Sequence, residues 1–259
     1  MVRRVSPVLV VMVALLAACQ GSPALTDPAE IISQGLKATV DLKSFHVSLA
    51  LNGTFSVPGS TGGSFNLDST SLEADVDIPA RNAHLTFAVP ALLGLSGDVV
   101  VIGKDVWVKT SMTGTKWMHS SNQVPTGASP GESLSPDQMV DKVKEFLAKD
   151  GVVTTKMDDV DCGDRKCYQV SVSVPPGAIA SNAPLASFDP STVFGDALKV
   201  NMLFDREKLW LTEISTSIDS DKVGKFSATL TFSKFDEAIT FSPPPSPDVT
   251  EGEITLPGM

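Results

Sequence analysis

Apolar positions along the chain follow two periods. Asp27-Pro28-Ala29-Glu30 has the form of a helix start, with an N-cap carboxylate, proline at the first helical position and an acidic first turn. Ile31, Ile32, Leu36 and Val40 follow at helical spacing, so an amphipathic helix opens the domain. From Ser44 the period drops to two: Phe45, Val47, Leu49, Leu51, Phe55 and Val57 alternate with His46, Ser48, Asn52, Thr54 and Ser56. That is a long strand with one buried face. A second strand runs through Phe65, Leu67, Leu72, Ala74, Val76 and Ile78, and its change of parity between Leu67 and Leu72 predicts a β-bulge or a bend in mid-strand. Arg81 to Val89 alternates again. Val99 to Ile102 and Val106 to Thr110 form a hairpin over Gly103-Lys104, and Trp117 closes this half.

Ser120 to Pro130 is a Gly/Ser/Pro-rich loop, after which Ser135-Pro136-Asp137-Gln138 repeats the helix-start chemistry. Met139, Val140, Val143, Phe146 and Leu147 then mark one face of a helix of about three turns. The second half alternates through Val152–Asp161, Tyr168–Val174, Leu198–Phe204, Leu209–Ile218 and Phe226–Phe232, antiparallel by its short connections. Pro175 to Asp196 is a long loop flecked with apolar residues, a length that points to function. Pro243-Pro244-Pro245 ends the fold, and a loosely ordered acidic tail is expected after it. About ten strands share one apolar face. Two short helices are too little to cover it, so the sheet either closes on itself or leaves part of that face for a ligand.

The leader changes the compartment. Arg3 and Arg4 precede eleven apolar residues, Val8 to Ala18, where a spanning helix needs roughly twenty. Leu16-Ala17-Ala18-Cys19 resembles the bacterial lipobox, which implies acylation of Cys19 and cleavage before it. Two or three acyl chains together hold a protein stably at a bilayer. The division expected is a signal peptide over 1–18, a lipidated tether over 19–26, a folded domain over 27–242 and an acidic tail over 243–259. The protein is expected on the extracytoplasmic face of a bacterial cell membrane, attached through N-terminal acyl chains, and monomeric.

Two cysteines remain, Cys162 and Cys167, in a compartment where disulfides persist. They are expected to pair, stapling a hairpin tip whose turn is Gly163-Asp164. No further Cys or His lies near enough to complete a zinc site, and the spacing is not Cys-x-x-Cys. Asp158-Asp159-Val160-Asp161 lacks the spaced ligands of a calcium loop. A net charge of −10 removes the electrostatic drive for nucleic-acid binding. His46, His84 and His119 sit in no catalytic motif, and His46 and His84 point off the apolar face as solvated side chains. There is no Gly-x-Ser-x-Gly, no His-Glu-x-x-His and no phosphate loop. Neither an enzyme, nor a metal, nor a cofactor is expected.

Gly97-Asp98-Val99-Val100-Val101-Ile102-Gly103-Lys104-Asp105-Val106-Trp107-Val108-Lys109, followed by Gly114-Thr115-Lys116-Trp117, resembles a hairpin and its close in the mycobacterial LppX/LprA/LprF/LprG lipoproteins. The Cys162–Cys167 pair has no counterpart in that pattern. The resemblance runs from about Asp27 to Phe241. It implies an α+β fold: one strongly curved antiparallel sheet of about 10–11 strands, a half-barrel of the LolA/LolB kind, with helices against its concave face and an apolar cavity between. It also implies carriage of a lipid or lipoglycan through the envelope, with an envelope transporter or acceptor protein as a further partner. The candidate lining is Phe45, Val47, Leu49, Phe55, Phe87, Val140, Val143, Phe146 and Leu147, each of which could equally be ordinary core. The helix at Val140–Leu147 would be a movable wall and the Pro175–Asp196 loop a lid. The alternative is a protein-binding envelope sensor or adaptor on the same half-barrel, without lipid cargo.

Overall fold

The computed structural model describes residues 24–56, 63–121, 136–179, 191, 194–195 and 197–252. Cys19 and most of the Ser120–Pro130 and Pro175–Asp196 loops therefore lie outside the described residues. Helix α1 (Pro28–Val40) starts as its sequence dictates, with the Asp27 carboxylate accepting from the Ala29 amide at 2.9 Å. Strands β1 (Ser44–Phe55), β2 (Phe65–Asn66), β3 (Thr70–Asp77), β4 (Asn82–Val89), β5 (Leu95–Ile102), β6 (Asp105–Thr110) and β7 (Trp117–Ser121) follow in order. Helix α2 (Pro136–Leu147) leads to β8 (Val153–Lys156), β9 (Val160–Cys162), β10 (Arg165–Val174), β11 (Leu198–Asp205), β12 (Leu211–Ser220), β13 (Gly224–Ser233) and β14 (Val249–Glu251).

Among the described residues these fourteen strands make one sheet. Its order is β14-β7-β6-β5-β4-β3-β1-β13-β12-β11-β10-β8, with β2 paired to β1 and β9 to β10. The architecture is α+β, a single large curved sheet that does not close, with α1 and α2 on one face among the described residues. Its centre is the long β1–β13 ladder, in register from His46↔Ser233 to Gly53↔Phe226. That pair joins the first and last long strands of the chain.

One local expectation is met and two change. The parity shift after Leu67 is a bend with one extra residue: β1 pairs Leu51 with Thr70 and Thr54 with Asn66, so Leu67, Asp68 and Ser69 face only Asn52 and Gly53, with Ser69 at φ 63° and the Asp68 carboxylate accepting the Gly53 amide at 2.7 Å. The strand expected over Val152–Asp161 is two, β8 and β9, interrupted at Met157–Asp159. The chain after Pro245 is not a loose tail, since Val249, Thr250 and Glu251 pair with Trp117, Met118 and His119. This pairing is parallel, so the sheet is mixed.

The larger buried cluster lies on one half of the helix-bearing face. Ile31 and Ile32 from α1 pack with Tyr168, Val170, Val172 and Val174 from β10, Phe204 from β11 and Leu211 from β12. Gly35 sets how closely α1 approaches. A Cβ there would run into the Phe204 ring, which is fully buried, and would also sit 3.0 Å from the Leu209 carbonyl. Gly35→Ala gains up to about 1 kcal/mol of helix propensity, against about 1–3 kcal/mol for overpacking a site that cannot yield. A net loss of about 1–2 kcal/mol is expected, read as a lower urea midpoint at unchanged m-value.

Candidate functional site

Antiparallel register places directly opposed residues on the same face, so the concave face can be read across the strands. One row runs Phe232, Val47, Ala74, Leu85, Val99, Val108 and Met118. The next runs Leu230, Leu49, Leu72, Phe87 and Gly97. Both rows are apolar, and Val47, Leu49, Leu72, Leu85, Phe87 and Val99 are only half-buried. None of these six belongs to the cluster packed under the helices. Gly97 is small for a reason: a Cβ there would meet the Lys109 carbonyl oxygen at 2.5 Å and the tip of the Phe87 ring at 2.9 Å. The helices thus cover the β10–β12 half, while on the other half Ala74, Val106 and Val108 are buried and β1 and β3–β5 present six half-buried apolar side chains among the described residues.

This divides the nine candidate lining residues. Val140 is buried, and Val143, Phe146 and Leu147 pack against the cluster of Ile31, Tyr168 and Phe204. They are wall and core together. Phe55 packs edge-on against Phe226 at 5.5 Å, and Phe45 tilts against Phe232 at 6.0 Å. Val47, Leu49 and Phe87 lie on the half-buried rows, beside Leu72, Leu85 and Val99, which sequence reasoning did not single out. Their strand alternation was the available signal, but register was needed to show which strands lie together.

The end of the sheet where the N-terminal segment attaches is charged. The Leu25 amide donates to the Tyr168 hydroxyl at 3.1 Å. Around Tyr168 a cleft of about 920 Å³ is lined by Asp161, Gly163, Asp164, Arg165, Lys166, Asp205, Arg206 and Glu207. Cys162 and Cys167 are joined by a disulfide at the β9–β10 hairpin on its rim. Arg165 pairs with buried Asp205 at 3.3 Å, Arg206 with Asp159 at 3.1 Å and Lys166 with Asp161 at 2.6 Å. These charges are matched internally, so the cleft is a braced end of the fold. Among the described residues no three His, Cys, Asp or Glu side chains are grouped to hold a metal ion. No described helix is long and apolar enough to cross a membrane.

On the outer face the three histidines occupy one cross-strand row, His46, Asp75, His84, Val100, Trp107, His119 and Glu251. The expectation of a solvated His46 fails, because its Nδ1 lies 2.8 Å from Asp75 and its side chain is mostly buried. His84 remains half-exposed, 3.7 Å from Asp98. The segment after β13 crosses this face: the Ser44 hydroxyl donates to the Glu237 carbonyl, and Pro243–Pro245 with Phe241 line a groove of about 280 Å³ over His84, Val100 and Trp117. His119 fastens the far end. Its ring stacks on Trp107 at 4.7 Å, Nδ1 lies 2.8 Å from the Glu251 carboxylate and Nε2 lies 3.3 Å from Asp105. Nothing in the sequence linked His119 to a residue 132 positions away.

Hydrogen bonding to Glu251 raises the His119 pKa above its ordinary value, with Asp105 adding to the lift and partial desolvation opposing it. A folded-state pKa above the unfolded one stabilises below the unfolded value and ceases to do so as pH rises through the folded value. The melting-temperature advantage of the parent over His119→Gln is therefore expected to be largest near pH 5.5 and to shrink by pH 8.5. A gap that does not vary with pH contradicts the clasp.

Neither a protein-family model nor a curated protein sequence matches the chain. Among solved structures, LprF from Mycobacterium bovis is similar over 85% of this chain and 98% of its own, at 17% identity and a TM-score of 0.50. The Mycobacterium tuberculosis lipoprotein LppX is similar over 82% of this chain and 96% of its own, at 18% identity and a TM-score of 0.48. The likeness to LprF is one of architecture: by fold the chain is an open, curved half-barrel like that of LprF.

Proposed function

We propose that this chain is a lipid-anchored protein of the bacterial cell envelope that binds a lipid or lipoglycan against its concave face and carries it between the membrane and the outer envelope. The observation that carries the proposal is the half-buried apolar surface of Val47, Leu49, Leu72, Leu85, Phe87 and Val99, on the half of the sheet away from the helix-covered core. Side chains of this kind supply volume and no directional hydrogen bonds, which suits acyl chains. The leader ending in Cys19 supports the anchor.

The energetics favour carriage over storage. Burying an acyl chain of about sixteen carbons is worth roughly 12 kcal/mol at ~0.8 kcal/mol per CH₂, in a bilayer or in a comparable protein cavity. Water is then forbidding, while transfer between protein and membrane is close to balanced. The sheet provides the chain with an apolar surface, and the head group stays at the rim.

Filling the open half tests this. Leu85→Trp and Val99→Trp each add an indole where α1 and α2 do not pack. Affinity for a fluorescent fatty acid such as parinaric acid is expected to fall at least tenfold in each variant, with far-UV circular dichroism unchanged. Undiminished affinity in both removes this half of the face from the site. Val143 and Phe146 are poor positions for the same test, because bulk added there also disturbs the core.

A further inference from the structure

We propose that two adjoining turns, Pro90–Gly94 between β4 and β5 and Ser111–Lys116 between β6 and β7, form a tip that inserts into the interface of a lipid membrane. Leu93 is fully exposed, Leu92 is 54% exposed and Met112 is 69% exposed. The two turns are fastened together. The Ser111 amide donates to the Ser96 carbonyl at 2.8 Å, its hydroxyl donates to the Gly94 carbonyl at 3.3 Å, and the Ser96 amide donates back to that hydroxyl at 3.1 Å.

The conformation adds to the case. Leu93 has φ 53°, a left-handed backbone that a leucine adopts at a cost and that glycine or asparagine would occupy more easily. A large apolar side chain held in water on such a backbone has no account in folding stability. It has one if water is not its working surroundings. The charge pattern agrees: in a chain with 30 acidic and 20 basic residues, these two turns carry one charge, Lys116. No carboxylate has to be desolvated on insertion, and a lysine stem can lie along apolar surface with its ammonium in the head groups. A protein partner would be recognised differently, through aromatic or arginine anchors around a pocket. Neither turn carries an aromatic or arginine side chain.

The tip also stands at the opposite end of the strands from the N-terminal attachment. Tyr168, which holds Leu25, pairs with Phe204, and the ladder followed strand by strand brings that end to Asp77, Asn82 and Ile102. Val89 and Leu95 close the other end. Eight residues of β4 separate the two, about 26 Å at roughly 3.3 Å per residue. If the anchor proposed above is at Cys19, anchor and tip address two lipid surfaces; the tip itself does not depend on that reading.

The test uses the full chain mixed with phosphatidylcholine vesicles whose acyl chains are brominated, and adds one indole at a time. With Leu93→Trp and Met112→Trp, quenching of the added emission and a shift to the blue are expected. Lys104→Trp, in an exposed turn at the other end, is expected to keep the iodide accessibility that it has in buffer. Iodide quenching of both tip indoles unchanged by vesicles overturns the proposal, as does bromine quenching at Lys104→Trp alone. Should one tip variant not fold, the other gives the same reading. Lipid bound in the concave face without tip quenching defeats the tip and leaves the carrier reading intact; tip quenching without bound lipid does the reverse.

Discussion

A one-layer sheet with an apolar face must have that face covered, and the two helices α1 and α2 are too short to do so. At about 1.5 Å per residue, the thirteen residues of α1 reach roughly 20 Å, or about four strands at the ~4.8 Å spacing of a sheet. That is the half from which the core is built. Gly35 against Phe204, and Val143, Phe146 and Leu147 over Tyr168 and Val170, close it tightly. The strands on the other side of the β1–β13 ladder carry the same alternation; Ala74, Val106 and Val108 are buried there, but Val47, Leu49, Leu72, Leu85, Phe87 and Val99 stay half-buried.

The outer face is treated differently. Its alternating positions are mostly polar, yet Val100 and Trp107 are buried there. They are covered by the chain's own C-terminal segment, tied at Ser44 and clasped at His119 by Glu251 and Asp105. The strap ends by adding β14 to the edge at β7, where an unpaired strand would otherwise offer a template for association. The protein therefore covers its outer face with its own chain.

Period and capping made most elements legible. Asp27-Pro28 and the Ser44–Phe55 alternation led to α1 and β1 directly, because those signals are local. The Cys162–Cys167 bridge was equally local, two thiols on either side of a Gly-Asp turn. Long-range information was not available. The parity change at Asp68-Ser69 was legible, but not the strand it faces, where the Asp68 carboxylate accepts the Gly53 amide. The pairing of Val249–Glu251 joins residues about 130 positions apart across a proline-rich stretch that reads as an ending. The candidate lining divided for the same reason: Phe87 and Val143 look alike as apolar positions, but one lies on a bare strand and the other under a helix.

The most direct test of the account is mass spectrometry of organic extracts of the full chain, purified without detergent from a bacterial envelope fraction. The account predicts a two- or three-chain lipid, near one per protein, that is lost or much reduced in Leu85→Trp. A fully folded protein that carries no lipid in repeated preparations would contradict it, and the half-buried rows of β1 and β3–β5 would then need another occupant.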